Sequence, residues 1–250
     1  MHPLVFISIL LLAKSFEFVA AELGPDAKEI HSLPSEKHQK NNLPSFTELA
    51  LRAGTDKVTT HKYQHVYERY FHNRRDEPMN VLEIGLGCMG AERHWGGSLI
   101  LWRAFFFNIK TKIHFIEYDP KCRDLFAHGA NQIYGNIFLG DQSNTTFLEL
   151  VKSTTGKLDL IVDDGSHNAK HQAASFKSLW PAVNDHGVYV IEDMEGSVDN
   201  GIFTLVPELM KTMYHNKTSE IQSVDLHHEA VAITKLNPEI YWSASSPSSG

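Results

Sequence analysis

Acidic residues and one histidine follow two apolar runs in the middle of the chain. Asp163, Asp164 and His167 come after the first run, and Glu192 and Asp193 come directly after the second. Carboxylates that converge repel one another unless a cation lies among them, and oxygen-rich sites suit Mg²⁺, Mn²⁺ or Ca²⁺. A nearby histidine can accept a proton from a hydroxyl. These residue types predict a divalent-metal site beside a general base, although helix caps and solvated loop charges would also explain the acids.

The segments around these residues predict that they meet. Residues 158–162 and 187–191 are typical of buried strands, and the segment 168–179 between them has a helical pattern. A strand–helix–strand crossover makes the two strands parallel, so that both end at one edge of the sheet. Open α/β sheets bind ligands at that edge. We therefore expect the acids and His167 to share one mouth of the fold.

A second ligand signal lies nearer the N-terminus. A predicted strand over residues 80–84 runs into Gly85 and Gly87, and a predicted strand over residues 112–116 ends at Glu117. Glycines after a strand let the backbone approach a ligand closely, and an acid at the end of the second strand is the usual acceptor for ribose hydroxyls. The pair predicts a nucleotide-type cofactor beside the acidic mouth.

Further segments complete an α/β pattern. Residues 136–139 are a predicted third strand, after which Asp141 and Gln142 could bind an adenine edge or cap the next helix. Residues 221–226 and 230–234 are predicted to close the sheet as an antiparallel pair. Apolar periodicity and capping residues predict helices over 45–54, 60–72, 98–107, 145–154 and 204–214. The aromatic face of the 60–72 helix, which includes Tyr63 and Tyr67, favours a core role over a ligand site.

The ends of the chain differ in composition from its middle. Residues 1–21 are typical of a signal peptide, since the apolar stretch is shorter than the roughly 20 residues that span a bilayer. An uncleaved signal-anchor and a disordered cytosolic tail are the alternatives. Residues 22–44 are predicted to be a flexible stem, 45–240 the folded domain, and 241–250 a disordered tail. We expect the protein in the ER or Golgi lumen or secreted, without a stable membrane span unless a signal-anchor is retained.

Composition narrows the class of protein. The 250 residues, 42% of them hydrophobic and 21% charged, suit a single α/β domain. A net charge of −7, without a dense Lys/Arg patch, argues against a nucleic-acid partner. Cys88 and Cys122 each lie just past one of two strands expected to be neighbours, so they are a predicted disulfide, with two separate thiols as the alternative. Asn216 is a predicted N-glycosylation site if the protein enters the secretory pathway, and Asn144 is a less favourable one because it opens a helix.

The order of these motifs resembles that of the class I S-adenosylmethionine-dependent methyltransferases. More narrowly, it is similar to the metal-dependent sugar O-methyltransferases of macrolide tailoring, of the mycinamicin and tylosin type, and to fungal hard-surface-inducible proteins. The matching pieces are residues 54–57, 82–87, 140–142, 163–167 and 191–193. The resemblance implies a Rossmann-like sheet of about seven mostly parallel strands, with helices on both faces and the last strand antiparallel.

The resemblance also implies roles for individual residues. Asp164, Glu192 and Asp193 match the divalent-metal ligands, with Mg²⁺ as the expected ion, and His167 matches the general base. The positions that match the S-adenosylmethionine site are Thr55, Lys57, Glu83, Gly85, Gly87, Glu117, Asp141, Gln142 and Asp163. The acceptor would be a hydroxyl of a sugar, a glycan or another small molecule. The long auxiliary N-terminal domain of the macrolide enzymes has no counterpart in this sequence, which leaves a homo-oligomer open.

Two other classes of function stay open at this stage. A secreted protein could keep the fold to bind the cofactor or a glycan without turnover, and the intact acid and histidine set argues against that. A metal-dependent hydrolase could use the same carboxylates on water. In that class Glu83, Glu117 and Asp141 would have no task.

Overall fold

The computed structural model describes residues 43–88, 95–126, 135–194, 202–216, 219–237 and 239. The predicted signal segment, most of the stem and the C-terminal tail lie outside the described residues. So do the side chains of 202–204. Within the described part, no helix combines the length and the apolar character that a membrane crossing needs.

Seven strands form one sheet, as the resemblance implies. They are β1 (Asn80–Ile84), β2 (Lys112–Glu117), β3 (Ile137–Leu139), β4 (Leu158–Asp163), β5 (Val183–Ile191), β6 (Ile221–Leu226) and β7 (Val231–Lys235). The order across the sheet is β3-β2-β1-β4-β5-β7-β6. Strands β1 to β5 pair in parallel, whereas β7 runs antiparallel to both β5 and β6. The carboxyl ends of β1, β4 and β5 therefore lie side by side, which is where the predicted site residues follow.

Seven helices accompany the sheet in the described residues. They are α1 (Phe46–Ala53), α2 (Gln64–Phe71), α3 (Gly97–Phe105), α4 (Pro120–Phe126), α5 (Thr145–Thr155), α6 (Ala169–Leu179) and α7 (Ile202–His215). Short 3-10 turns cover Asp56–Val58, His72–Arg74 and Trp180–Ala182. Helix α1 has the predicted capping box, in which Ser45 and Glu48 bond each other's backbone N–H groups, and it ends at Gly54 with φ 74°.

One helix prediction needs correction, and one helix was missed. Helix α2 begins at Gln64 rather than Thr60, because the N–H groups of Thr59, Thr60 and His61 all bond to the carbonyl of Asp56 and hold a tight turn there. Helix α4 was not predicted at all. Its first residue is Pro120, whose fixed φ and missing N–H suit the first position of a helix, and that signal could have found it.

The sheet has a hydrophobic layer on each face. On one face α1, α2 and α3 bury a cluster of aromatic rings, among them Phe46, Tyr67, Trp102 and Phe105. On the other face α5, α6 and α7 pack through aliphatic and aromatic side chains against β4 and β5. With both faces covered, the free sheet edge at the carboxyl ends of the strands is the natural place for a site.

The predicted disulfide is confirmed. Cys88, after β1, and Cys122, in α4 after β2, are bonded, with their Cα atoms 5.7 Å apart. The bond joins the glycine loop after β1 to the segment that follows Glu117, so it lies on the side of the mouth where the cofactor was predicted.

Candidate active site

The carboxyl ends of β1, β4 and β5 bring three acids around one lysine. We call Glu83, Asp164, Glu192 and Lys57 the inner set. The Lys57 Nζ atom is 2.8 Å from Asp164 Oδ2 and 3.1 Å from Glu83 Oε1, and it also bonds to the carboxylate of Glu192. Lys57, Glu83 and Glu192 are at most 1% exposed. Buried carboxylates persist only when they are paired. Here Lys57, which is distant in sequence from all three acids, is their counter-ion.

Charge in the inner set does not balance. Burial would lower the pKa of Lys57, but the carboxylates of Asp164, Glu192 and Glu83 raise it above its usual value, so the ammonium stays charged. Burial raises the pKa of Glu83 to about 7 and raises that of Glu192, against the opposing attraction of Lys57. Lys57 is one cation among three acids, and the raised pKa values of Glu83 and Glu192 mean that these side chains take up protons near neutral pH.

A second group of ligand atoms opens toward solvent. We call Asp164, His167 and Asp193 the outer set, because each is partly exposed and one ligand atom from each lies within 4.8 Å of the others. The Nε2 atom of His167 is 3.4 Å from Asp193 Oδ2. The Nδ1 atom of His167 is buried and has no hydrogen-bond partner in the described residues. Two carboxylates and an imidazole suit a divalent cation or a proton-transfer site.

Backbone strain is concentrated at the outer set. Three non-glycine residues of the described chain have a positive φ, and two of them are His167 at 53° and Asp193 at 52°. Such a conformation costs on the order of 1–2 kcal/mol for an L-residue. Strain of this kind persists where the surroundings enforce it, and it is common in functional sites.

Asp164 belongs to both sets, whereas the other two predicted metal ligands are divided between them. Glu192 is in the inner set, where its Oε1 accepts a hydrogen bond of 2.6 Å from the Tyr67 hydroxyl. Asp193 is in the outer set, where its Oδ1 accepts one of 2.5 Å from the Tyr63 hydroxyl. The predicted ligands thus converge on one mouth, but Glu192 faces a lysine and a tyrosine in the fold's interior.

The sequence reasoning missed four residues of this mouth. They are His61, Tyr63, Tyr67 and Glu229. His61 Nδ1 is 2.6 Å from Glu229 Oε2 and 3.4 Å from Asp193 Oδ1. The spacing of Tyr63 and Tyr67 on one face of a helix was recognised but assigned to the core, and their rings are indeed buried while their hydroxyls reach the acids.

The predicted cofactor acid and glycine loop lie together. Glu117 is buried, with its Oε2 accepting from the N–H of Leu86 at 3.1 Å and its Oε1 from the N–H of Asp119 at 2.7 Å. A Cβ atom on Gly85, which has φ 96°, would lie 2.2 Å from the carbonyl oxygen of Asp164. Gly85 therefore lets the loop after β1 pass directly against the backbone that follows β4.

Two other predicted cofactor residues, Gln142 and Asp163, form hydrogen bonds within the protein. The Gln142 amide donates to Asp163 Oδ1 at 2.9 Å and accepts from the N–H of Ser166 at 2.6 Å. Asp163 is fully buried, and it also accepts from the hydroxyl of Ser175. These two residues brace the loop that carries Asp164 and His167.

Three further predicted cofactor positions lie on loops around the mouth. The hydroxyl of Thr55 accepts from the N–H of Lys57 at 3.4 Å. Asp141 is half-buried and accepts from the N–H of Ser143 at 2.7 Å. A Cβ atom on Gly87, which has φ 71°, would meet nothing within 4 Å. The loop around Gly87 therefore borders open space next to Glu117.

The chain is similar in sequence to curated O-methyltransferases. No protein-family model matches the chain. A rhamnosyl-tetracenomycin-C 3'-O-methyltransferase of Streptomyces olivaceus is 37% identical over 58% of this chain and 36% of its own length. The demethylmacrocin O-methyltransferase of Streptomyces fradiae is 31% identical over 71% of this chain and 46% of its own. The chain thus spans between about a third and half of the length of these relatives.

A solved structure gives the decisive likeness. It is the MycE methyltransferase of the mycinamycin biosynthetic pathway in complex with Mg, SAH and mycinamycin VI, which matches with a TM-score of 0.66 and 26% identity. The match covers 79% of this chain and 56% of that one. The chain has a class I methyltransferase fold. This methyltransferase fold and the similarity to sugar O-methyltransferases confirm the resemblance found in the motifs.

Proposed function

We propose that the protein is an S-adenosylmethionine-dependent and divalent-metal-dependent O-methyltransferase that acts on a hydroxyl of a sugar or glycan. The observation that carries the proposal is the outer set of Asp164, His167 and Asp193, which adjoins Glu117 and the glycine loop at one sheet edge. The sugar O-methyltransferases among the relatives, and the Mg and SAH bound by MycE, support it.

The residues present fit a divalent cation. Asp164 and Asp193 offer carboxylates on side chains that are 25% exposed, and one ligand atom of each lies within 4.8 Å of the other. We assign Asp164 and Asp193 as ligands; Glu192, whose oxygens contact Lys57 and Tyr67, would join them by exchanging its contact with the lysine for the cation. Oxygen ligands favour Mg²⁺ over softer metals.

The chemistry expected of such a cation is to lower the pKa of a hydroxyl that contacts it, as Zn²⁺ lowers that of water from about 15.7 to about 7. The protein's own part is to orient the acceptor and to take its proton. Since His167 Nδ1 is buried, Nε2, which lies 3.4 Å from Asp193 Oδ2, is the nitrogen that would take the acceptor proton.

The proposed reaction is an in-line transfer. When bound, S-adenosylmethionine would supply the methyl group to the acceptor oxygen and leave as S-adenosylhomocysteine, its sulfur keeping the bonding pair. The hydroxyl proton would pass to His167. Glu117 would hold the ribose hydroxyls of the cofactor and so orient it toward the acceptor.

Single-turnover methyl transfer to a panel of glycans and polyols, across a metal titration, tests this proposal. His167→Ala should slow transfer by about 10²–10⁴-fold, while metal and cofactor still bind. Asp164→Asn should weaken metal binding and be partly rescued by excess metal. His171→Ala is the matched control, since His171 bonds Ser166 of the same loop without belonging to the outer set, and it should stay within about threefold of wild type.

Three outcomes would contradict parts of the proposal. Full activity in chelator would remove the metal from the mechanism. A His167→Ala protein within about threefold of wild type, far below the general-base range, would remove His167 as base. Equilibrium binding of S-adenosylmethionine without any methylated product would favour the binding-protein class instead.

We further propose that the protein works in the secretory pathway, where the disulfide between Cys88 and Cys122 is stable. N-glycosylation of Asn216, which follows helix α7, would accompany that location. Asn144 is less suited, because its side chain accepts from the N–H of Phe147 as the cap of α5. A glycosidase-sensitive mass shift of the protein from secreting cells, lost in Asn216→Gln, is the expected result, and an unshifted mass would contradict the glycosylation.

A further inference from the structure

Helix α2 and the residue before it carry three tyrosines whose hydroxyls each contact a carboxylate. Tyr63 bonds Asp193, Tyr67 bonds Glu192, and Tyr70 bonds Asp225. The spacing of four and three residues places them on one face of the helix. The first two carboxylates are proposed metal ligands, whereas Asp225 lies on the edge strand β6.

Tyr63 grips Asp193 at two points. Its hydroxyl donates to Asp193 Oδ1 at 2.5 Å and accepts from the N–H of Asp193 at 3.0 Å. One contact orients the carboxylate, and the other holds the backbone in its strained conformation at φ 52°. With Oδ1 engaged, Oδ2 is the oxygen that faces His167 at 3.4 Å.

The ring of Tyr63 is itself held in place. It is 3% exposed, and the imidazole of His61 stacks on it with ring centroids 5.0 Å apart and an interplanar angle of 5°. His61 Nδ1 in turn contacts Glu229 Oε2 at 2.6 Å. The hydroxyl of Tyr63 therefore has little freedom to move away from Asp193.

We propose that Tyr63 is a positioning residue that sets the geometry of Asp193 as a metal ligand. This inference rests on the proposed metal site. Groups that hydrogen-bond metal-ligating carboxylates orient them, and their loss typically costs about 10–100-fold in metal affinity or activity. Tyr63 does not contact the acceptor or the cofactor in this role, and it acts through Asp193.

Mg²⁺ titration calorimetry on the protein saturated with S-adenosylhomocysteine tests the inference. Tyr63→Phe removes only the hydroxyl, and it should weaken Mg²⁺ binding by about 10–100-fold while S-adenosylhomocysteine affinity stays within about twofold. Turnover at saturating Mg²⁺ should recover toward wild type, so the defect is in metal affinity. In an Asp193→Asn background, Tyr63→Phe should add no further loss of Mg²⁺ affinity.

Tyr70→Phe is the matched control, because it deletes the same hydroxyl–carboxylate contact from the same helix. It should leave Mg²⁺ affinity unchanged, and its thermal unfolding shows what such a deletion costs the fold alone. Wild-type Mg²⁺ affinity in Tyr63→Phe, or an equal loss in Tyr70→Phe, would overturn the inference and leave the proposed function standing. A wild-type protein that does not bind Mg²⁺ would instead overturn the metal site itself.

Discussion

The two ends of strand β1 differ in how their polar side chains are paired. At the amino end, the Asn80 side chain accepts from His114 Nε2 at 3.0 Å and donates to the carbonyls of Thr155 and Lys157 at 3.0 and 2.7 Å. Its backbone N–H donates to Asp159 Oδ2 at 2.8 Å. The side-chain oxygen, the side-chain NH₂ group and the backbone N–H of Asn80 therefore each have a hydrogen-bond partner, as expected of a network that supports the fold.

At the carboxyl end the acids outnumber the cations. Glu83 and Glu192 are fully buried, and with Asp164 they share the single ammonium of Lys57. Stability alone would not favour this arrangement, because uncompensated buried charge is costly. The satisfied network at the amino end supports the sheet, whereas the carboxyl end is where the proposed cation would complete the charge.

The largest effect on stability is expected when Lys57 is removed from the carboxyl end of β1. Lys57→Met leaves three acids without their internal cation, and breaking a buried pair in this way costs about 3–5 kcal/mol of unfolding free energy. Urea unfolding at pH 8 measures the loss. The loss should shrink as the pH falls, because the acids with raised pKa values, Glu83 and Glu192, then take up protons.

Lys62→Met is the control for that experiment. Lys62 lies in the same segment but contacts only the carbonyls of Val58 and Thr59, so its replacement should change stability by no more than about 0.5 kcal/mol. A Lys57→Met protein as stable as the Lys62→Met protein would show that the inner set does not depend on its ammonium.

The amino end should respond to acid instead. Burial lowers the pKa of His114 to about 4, from the 6.5 of an unfolded chain, and its Nδ1 accepts from the N–H of Asn136. The unfolded chain therefore takes up a proton that the native state refuses. Stability from this group is complete above pH 6.5 and is lost as the pH falls toward 4, by about 3 kcal/mol.

His114→Gln should flatten that part of the stability–pH curve, as measured by urea unfolding between pH 8 and pH 4. His215→Gln, at an exposed position of α7, should leave the curve as in wild type. An unchanged acid slope in His114→Gln would place the titrating group elsewhere.

The smallest of these effects concerns the cofactor side of the mouth. Glu117→Ala should reduce S-adenosylmethionine affinity at least tenfold, which corresponds to about 1.4 kcal/mol. Calorimetry measures this affinity directly. Unchanged affinity would show that Glu117 is not part of the cofactor site.

Elements with local signals could be predicted from the sequence. β1 has the predicted bounds, and β4, α6 and β5 follow one another as expected, because their apolar runs and caps are continuous in the chain. The convergence of Asp164, His167 and Asp193 followed from that single crossover. The glycine loop beside Glu117 followed from the neighbouring pair β1 and β2.

Contacts between distant segments could not be predicted in the same way. Lys57 meets Asp164 and Glu192 across 107 and 135 residues, and no periodicity encodes such a meeting. Tyr63 was assigned to the core because a ring and a hydroxyl on one side chain can serve different purposes. The ring follows the helical pattern, whereas the partner of the hydroxyl depends on how the whole sheet packs.

The bridge between Cys88 and Cys122 makes the production host an experimental variable. It closes a loop of 34 residues, which in the chain-entropy treatment restricts the unfolded chain by roughly 3–4 kcal/mol. A bacterial cytosol keeps such thiols reduced, whereas a periplasm or a secreting eukaryotic cell oxidises them. The loop beside Glu117 would then be more restrained in an oxidised preparation than in a reduced one. Affinities and turnover numbers are therefore comparable only when the thiol content of each preparation is known.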